Sequence, residues 1–159
     1  MKFRQFQYLR EQAIAALGKT SSSQIVETDI RMMDSLALAY IGDAYYSMYM
    51  RKRAIATQIT QVRVLHELVA HIVSATVQSK ALHELEPDLT EEELEICRRA
   101  RNAHSTVPKS ASVAEYRQST ALEALVGYLY LSQKNKRLQI IMDKLFLFVC
   151  NELQTSPRW

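Results

Sequence analysis

The chain of 159 residues is long enough for one domain with a sizeable core at 48% hydrophobic content, and its formal charge of +3 is too mild to define a partner by itself. Three glycines, three prolines, no Asn-Gly or Asp-Gly turn and no sustained alternation set a β-rich fold aside and point to an all-α chain. No run reaches membrane-spanning length, charged residues interrupt the first 17 positions as in no secretory signal, and Cys97 and Cys150 lie at apolar positions of expected helices, so the reading is of a cytoplasmic protein with reduced thiols and no membrane segment.

Residues 2–17 place Phe3, Phe6, Leu9, Ala13, Ile14 and Leu17 at three- and four-residue steps, an amphipathic helix ended by Gly18. It is expected to pack against the domain, with a partner-binding arm as the alternative. Residues 19–31 form a polar connector without recognisable chemistry. A helix then follows over 34–53, DSLALAYIGDAYYSMYMRKR, with Asp34 or Ser35 as N-cap. Apolar residues from Leu36 to Met50 surround its axis almost completely, so most of it is expected to be buried. Asp43 sits among them, and a carboxylate there needs a basic partner, a set of donors or a metal ion.

A third helix is expected over 61–84, capped by Thr60, with Val62, Leu65, Val69, Ile72, Val73, Thr76 and Val77 on its inner side. His66 and His71 within it resemble a zinc-protease pair, but their spacing of five turns the second ring about 140° away from the first. Pro87 breaks the chain, and Thr90 with Glu93 forms a capping box for a helix over 91–103 whose basic end suits the helix dipole. Residues 104–118 read as a loop and short turn. Over 94–118, Arg98, Arg99, Arg101, Lys109 and Arg117 outnumber Glu95 and Glu115, a local excess equal to that of the whole chain. Residues 119–131, STALEALVGYLYL, form an apolar helix holding one acid, Glu123. A last helix over 136–153 carries a stripe from Leu138 to Leu153 for core or interface.

The two acid-bearing helices share another anomaly. Gly42 precedes Asp43 and Gly127 lies one turn after Glu123, and a helical glycine, about 1 kcal/mol worse than alanine, is usually compensated by close approach of a neighbour. The two helices are therefore expected to cross closely, bringing Asp43 and Glu123 together. The alternatives are local: a capping box between Thr120 and Glu123, or pairing of the acids with Arg99, Arg101 or Arg117. The chemical reading is a magnesium site, since magnesium takes oxygen ligands, often one or two carboxylates plus substrate phosphate. A basic segment beside it suits a phosphate backbone.

YIGDAYYSMYMR at 40–51 resembles the signature helix of the ribonuclease III catalytic domain. RRARNAHSTVPKSASVAEYRQSTALEALVGYLYL at 98–131 resembles its minimal branch, Mini-ribonuclease III, and the likeness spans about residues 34–153. The resemblance implies an all-helical, ribonuclease III endonuclease-domain-like bundle. It also implies a homodimer, dependence on Mg2+ with Mn2+ as a substitute, and cleavage of double-stranded RNA, with maturation of the 23S ribosomal RNA precursor as the associated task. Asp43 and Glu123 fall on the family's catalytic, metal-associated acids; Arg101, Asn102, Lys109, Tyr116 and Arg117 fall in its adjoining segment, as RNA contacts. Where larger members carry further acids this chain has Ala39 and Thr120, and Ser47 stands where minimal members often have glutamate. The expected organisation is an N-terminal helix and connector over 1–33, the catalytic domain over 34–153 and a tail over 154–159. With so short a tail, RNA affinity is expected to come from the dimer surface or from a ribosomal protein presenting the RNA. Competing readings are a non-catalytic helical RNA-binding or ribosome-associated module, favoured by Ala39 and Thr120, and a phosphohydrolase of small esters, disfavoured by the lack of a His-Asp doublet.

Overall fold

The computed structural model describes residues 3–19, 29–103 and 112–155, and these are helical with short connections. The helices are α1 (Phe3–Lys19), α2 (Ser35–Ile55), α3 (Val62–Ile72), α4 (Ala75–Leu85), α5 (Glu91–Arg101), α6 (Val113–Leu131) and α7 (Asn135–Thr155), with single 3-10 turns at Ile30–Met32 and Glu86–Asp88. Among the described residues no helix is long and apolar enough to cross a membrane.

Helix α6 is the hub. Every residue from Ser119 to Leu129 is buried except Glu123, which is half-buried. Helices α2, α4 and α5 pack around it, and α7 closes the core against α4 and α6 with Leu138, Ile141, Met142, Leu145 and Val149. A helix apolar on all sides belongs inside a bundle, and α6 has that composition. Its start lies further back than its apolar run suggests. Ser112 and Glu115 form the capping box, so residues 113–118 are the first turns of α6 and not a loop. Thr120 is consequently mid-helix, and its hydroxyl donates to the Tyr116 carbonyl at 2.9 Å. The expected Thr120–Glu123 capping box does not exist.

Helix α2 corrects a second expectation. Asp34 caps it, accepting from the Leu36 and Ala37 amides, but it is buried on one side only, through Ser35, Leu38, Ala39, Gly42, Tyr46, Met50 and Ala54. Tyr40 and Met48 on the other side are 84% and 68% exposed, and Ile55 is exposed with them. The apolar content of this helix exceeds what the core of one chain takes up. Asp43 is exposed as well, so it is not a buried charge in need of an answer.

The expected single helix over 61–84 is two. Ser74 breaks it, its hydroxyl accepting from the Val77 amide as N-cap of α4, and the two pieces serve different partners, α3 against α2 and α4 against α6 and α7. Thr60 does not cap α3, whose N-cap Gln61 makes no side-chain bond. The Thr90–Glu93 box on α5 is present as expected. Helix α1 does not pack as expected: its side chains from Phe3 to Leu17 are all exposed.

Candidate active site

Two glycines allow α2 and α6 to touch through their backbones. A Cβ on Gly42 would lie 1.8 Å from the Glu123 carbonyl oxygen and 2.7 Å from the Gly127 nitrogen; one on Gly127 would lie 2.0 Å from the Leu38 carbonyl oxygen. No side chain fits at either position, so the anomaly that marked both helices is a crossing point. The crossing sets Asp43, next after Gly42, beside Glu123, whose own carbonyl forms the contact.

The electrostatics follow from that placement. Burial, and then the negative charge of Asp43, push the Glu123 carboxyl up to about 8. The Gln78 amide on α4 acts the other way, favouring the charged form, though neither its nitrogen nor its oxygen reaches a hydrogen bond of ordinary geometry. Among the described residues neither acid forms an ion pair. Of the expected arginine partners, Arg99 and Arg101 are engaged elsewhere, and the exposed Arg117 pairs with neither acid. Arg99 donates to the main-chain carbonyls of Arg31 and Met33, at 2.7 Å for the latter, and pins the segment before α2. Arg101 pairs with Glu86 at 3.0 Å, and Arg98 pairs with Glu95 on the same helix.

Of the residues expected to meet RNA, Asn102 is the exposed C-cap of α5, Tyr116 is half-buried in the second turn of α6, and Arg117 is exposed beside it. Lys109 lies outside the described residues. His66 and His83 are exposed and His71 half-buried, and no group of three His, Cys, Asp or Glu side chains placed to hold a metal ion occurs among the described residues. Cys97 and Cys150 are free; burial pushes the Cys97 thiol up to about 12, which leaves it inert.

Two residues near Glu123 escaped the sequence reading, Gln78 and Tyr46. Both are almost wholly buried and both carry polar atoms without a partner. Gln78 was detectable as a lone amide next to the apolar stripe of α4, whereas Tyr46 is lost among the tyrosines of α2. The donor set around the crossing fits a hard divalent cation. It offers carboxylate oxygens, one accessible and one partly desolvated, and a mutual repulsion that a cation would relieve.

A helical bundle with an acid pair at a helix crossing defines a class, and the ribonuclease III domain family model matches residues 36–134. Mini-ribonuclease 3 of Symbiobacterium thermophilum is 46% identical over 68% of this chain and 84% of its own length, and that of Brevibacillus brevis is 42% identical over 78% and 93%. A solved structure of a Fusobacterium nucleatum protein, 35% identical, covers 74% of this chain and 96% of that one with a TM-score of 0.69. The chain belongs to the ribonuclease III family, in its Mini-ribonuclease 3 branch. It is accordingly an endoribonuclease, of a family that uses a divalent metal and acts on double-stranded RNA.

Proposed function

We propose that Asp43 and Glu123 together hold Mg2+, with Mn2+ as a substitute, and that the site cuts double-stranded segments of the 23S ribosomal RNA precursor in the cytoplasm. The observation that carries this reading is the acid couple at the Gly42–Gly127 crossing, unpaired among the described residues, where burial and the Asp43 charge push the Glu123 carboxyl up to about 8. Asp43 serves from the solvent side and Glu123 from the core side. When bound, the ion supplies positive charge beside the scissile phosphodiester and makes a water more acidic. Exposed Arg117 meets phosphate directly. Arg101 spends part of its five-donor fork on Glu86 and offers the remainder. Lys109 adds a further cation to that segment, while Asn102 and Tyr116 order it or touch the RNA.

Ala39 and Thr120 favour the alternative of a binding module less than their identity suggests. Both are buried in the α2–α6 contact and the Thr120 hydroxyl is satisfied internally, so both are parts of the packing. Homodimer formation is supported by the exposed row Tyr40, Met48 and Ile55 on α2, apolar area that a second copy would cover. RNA affinity then comes from the dimer surface or from a ribosomal protein that presents the substrate.

The test incubates the protein with a labelled stem from a large-subunit ribosomal RNA precursor, with magnesium and with chelator. Discrete magnesium-dependent cuts, lost in Asp43→Asn and in Glu123→Gln, are expected. Full activity in either variant overturns the assignment, and a salt-sensitive complex without cleavage transfers the reading to the binding module.

A further inference from the structure

Gln78 is 1% exposed, and neither atom of its amide is hydrogen-bonded. Such burial is costly, because an amide removed from water loses its solvent partners and here gains none. An apolar side chain of the same length would fill the space without that cost, and the surroundings of the amide indicate what it serves. Helix α4 packs directly on α6, and the Gln78 side chain lies close enough to the Glu123 carboxyl to favour its charge.

An ionised, half-buried Glu123 requires donors, and among the described residues the nearby side chains left unpartnered are the Gln78 amide and the Tyr46 hydroxyl, of which only the amide favours the charged form of Glu123. The Ser119 and Thr120 hydroxyls both donate to the Tyr116 carbonyl. No lysine or arginine among the described residues pairs with Glu123. A neutral donor has an advantage over either, since it orients a carboxylate without competing with a cation for it.

We infer that Gln78 is a positioning residue, whose side-chain N–H donates to the ionised Glu123 carboxylate and holds it in the orientation that shares a divalent cation with Asp43. The inference rests on the reading of Glu123 as a metal-holding acid. Gln78 does not touch substrate or ion. It acts through the rotamer of Glu123, and its effect is to be read in cation affinity, with or without RNA.

The experiment titrates Mn2+ into the chelator-stripped protein and follows free Mn2+ by its paramagnetic resonance signal, for wild type, Gln78→Met, Gln78→Asn and Glu123→Gln. Methionine keeps the length and removes the donor; asparagine keeps the donor and retracts it. Both Gln78 variants are expected to bind Mn2+ about 10-fold more weakly or worse, the usual penalty for losing the partner of a metal-holding side chain. In chelator, Gln78→Met should melt at or above the wild-type temperature, because the unpartnered amide is gone. Wild-type affinity in Gln78→Met, where Glu123→Gln has lost binding, overturns the inference and leaves the metal site standing. Wild-type affinity in all variants overturns both. Should Gln78→Met fail to fold, Gln78→Asn decides alone, and unchanged affinity in it is again fatal to the inference.

Discussion

Replacing Gly42 by alanine sets two physical effects against each other. In an exposed helix the change is stabilising by about 1 kcal/mol, since alanine loses less backbone entropy. Here the added Cβ meets the Glu123 carbonyl oxygen at 1.8 Å, where a real Cβ essentially never comes within 3.0 Å, so α2 and α6 must separate by more than 1 Å. The obstacles are backbone atoms, and no rotamer change relieves them. Overpacking of this kind costs about 1–3 kcal/mol and sometimes more. Because the crossing joins the central helix to its main partner, the upper part of that range applies, and a net loss of about 2 kcal/mol remains after the propensity gain. For a chain of this size that lowers the melting temperature by roughly 4–8 °C. Circular-dichroism melts and urea titrations measure it directly, and Mn2+ affinity should fall in parallel as Glu123 is carried away from Asp43. A Gly42→Ala protein as stable as wild type, or more stable, would refute the backbone contact.

Glu123 also makes stability depend on pH in the metal-free protein. Its carboxyl titrates near 8 in the folded chain against about 4.5 when unfolded, so the native state keeps a proton that the unfolded state releases. The stability linked to that proton is complete below pH 4.5 and is lost as the pH rises through 8, at no more than about 1.4 kcal/mol per pH unit. Urea titrations in chelator from pH 5 to 8 should therefore show wild type losing ground against Glu123→Gln, and parallel profiles would reject this account. Arg137 tests a structural charge. Its guanidinium grips Glu93, whose side chain is only 4% exposed, at 2.8 and 2.7 Å and also donates to the Asp88 carbonyl, so Arg137→Met should cost about 3 kcal/mol by stranding a buried carboxylate. Arg63→Ala, which breaks a pair with Glu67 exposed on both sides, should stay within about 0.5 kcal/mol in the same denaturant assay.

Residues that act through their own backbone were legible in the sequence. Three glycines in a helical chain, two of them close to the lone acids of apolar helices, announced the α2–α6 crossing, because a helical glycine is tolerated mainly where a neighbour needs its space. The Thr90–Glu93 box and the Asp34 cap were equally local, each a side chain satisfying amides within three residues. Helix count was less so. An apolar period runs unbroken through Ser74, and only the different packing partners of α3 and α4 decide that the chain turns there.

Burial and pairing belonged to the tertiary structure. Apolar residues all round α2 and all round α6 read alike, yet α6 lies at the centre and α2 leaves Tyr40 and Met48 in solvent, since hydrophobicity records what can be covered and not which surface covers it. The same limit governed the acids. Asp43 seemed the buried charge and is exposed, while Glu123 is the one that burial perturbs. Of the arginines that might have answered them, Arg99 and Arg101 are held by main-chain carbonyls and Glu86, partners as far as 68 positions away in the chain, and Arg117 is exposed. Sequence alone determined an all-helical chain with two acids at a glycine crossing, because those signals are carried by residue type and short-range spacing. Which acid is desolvated, which cations are free and that Gln78 lies against Glu123 depended on long-range packing, where a side chain's environment is made by helices distant in sequence.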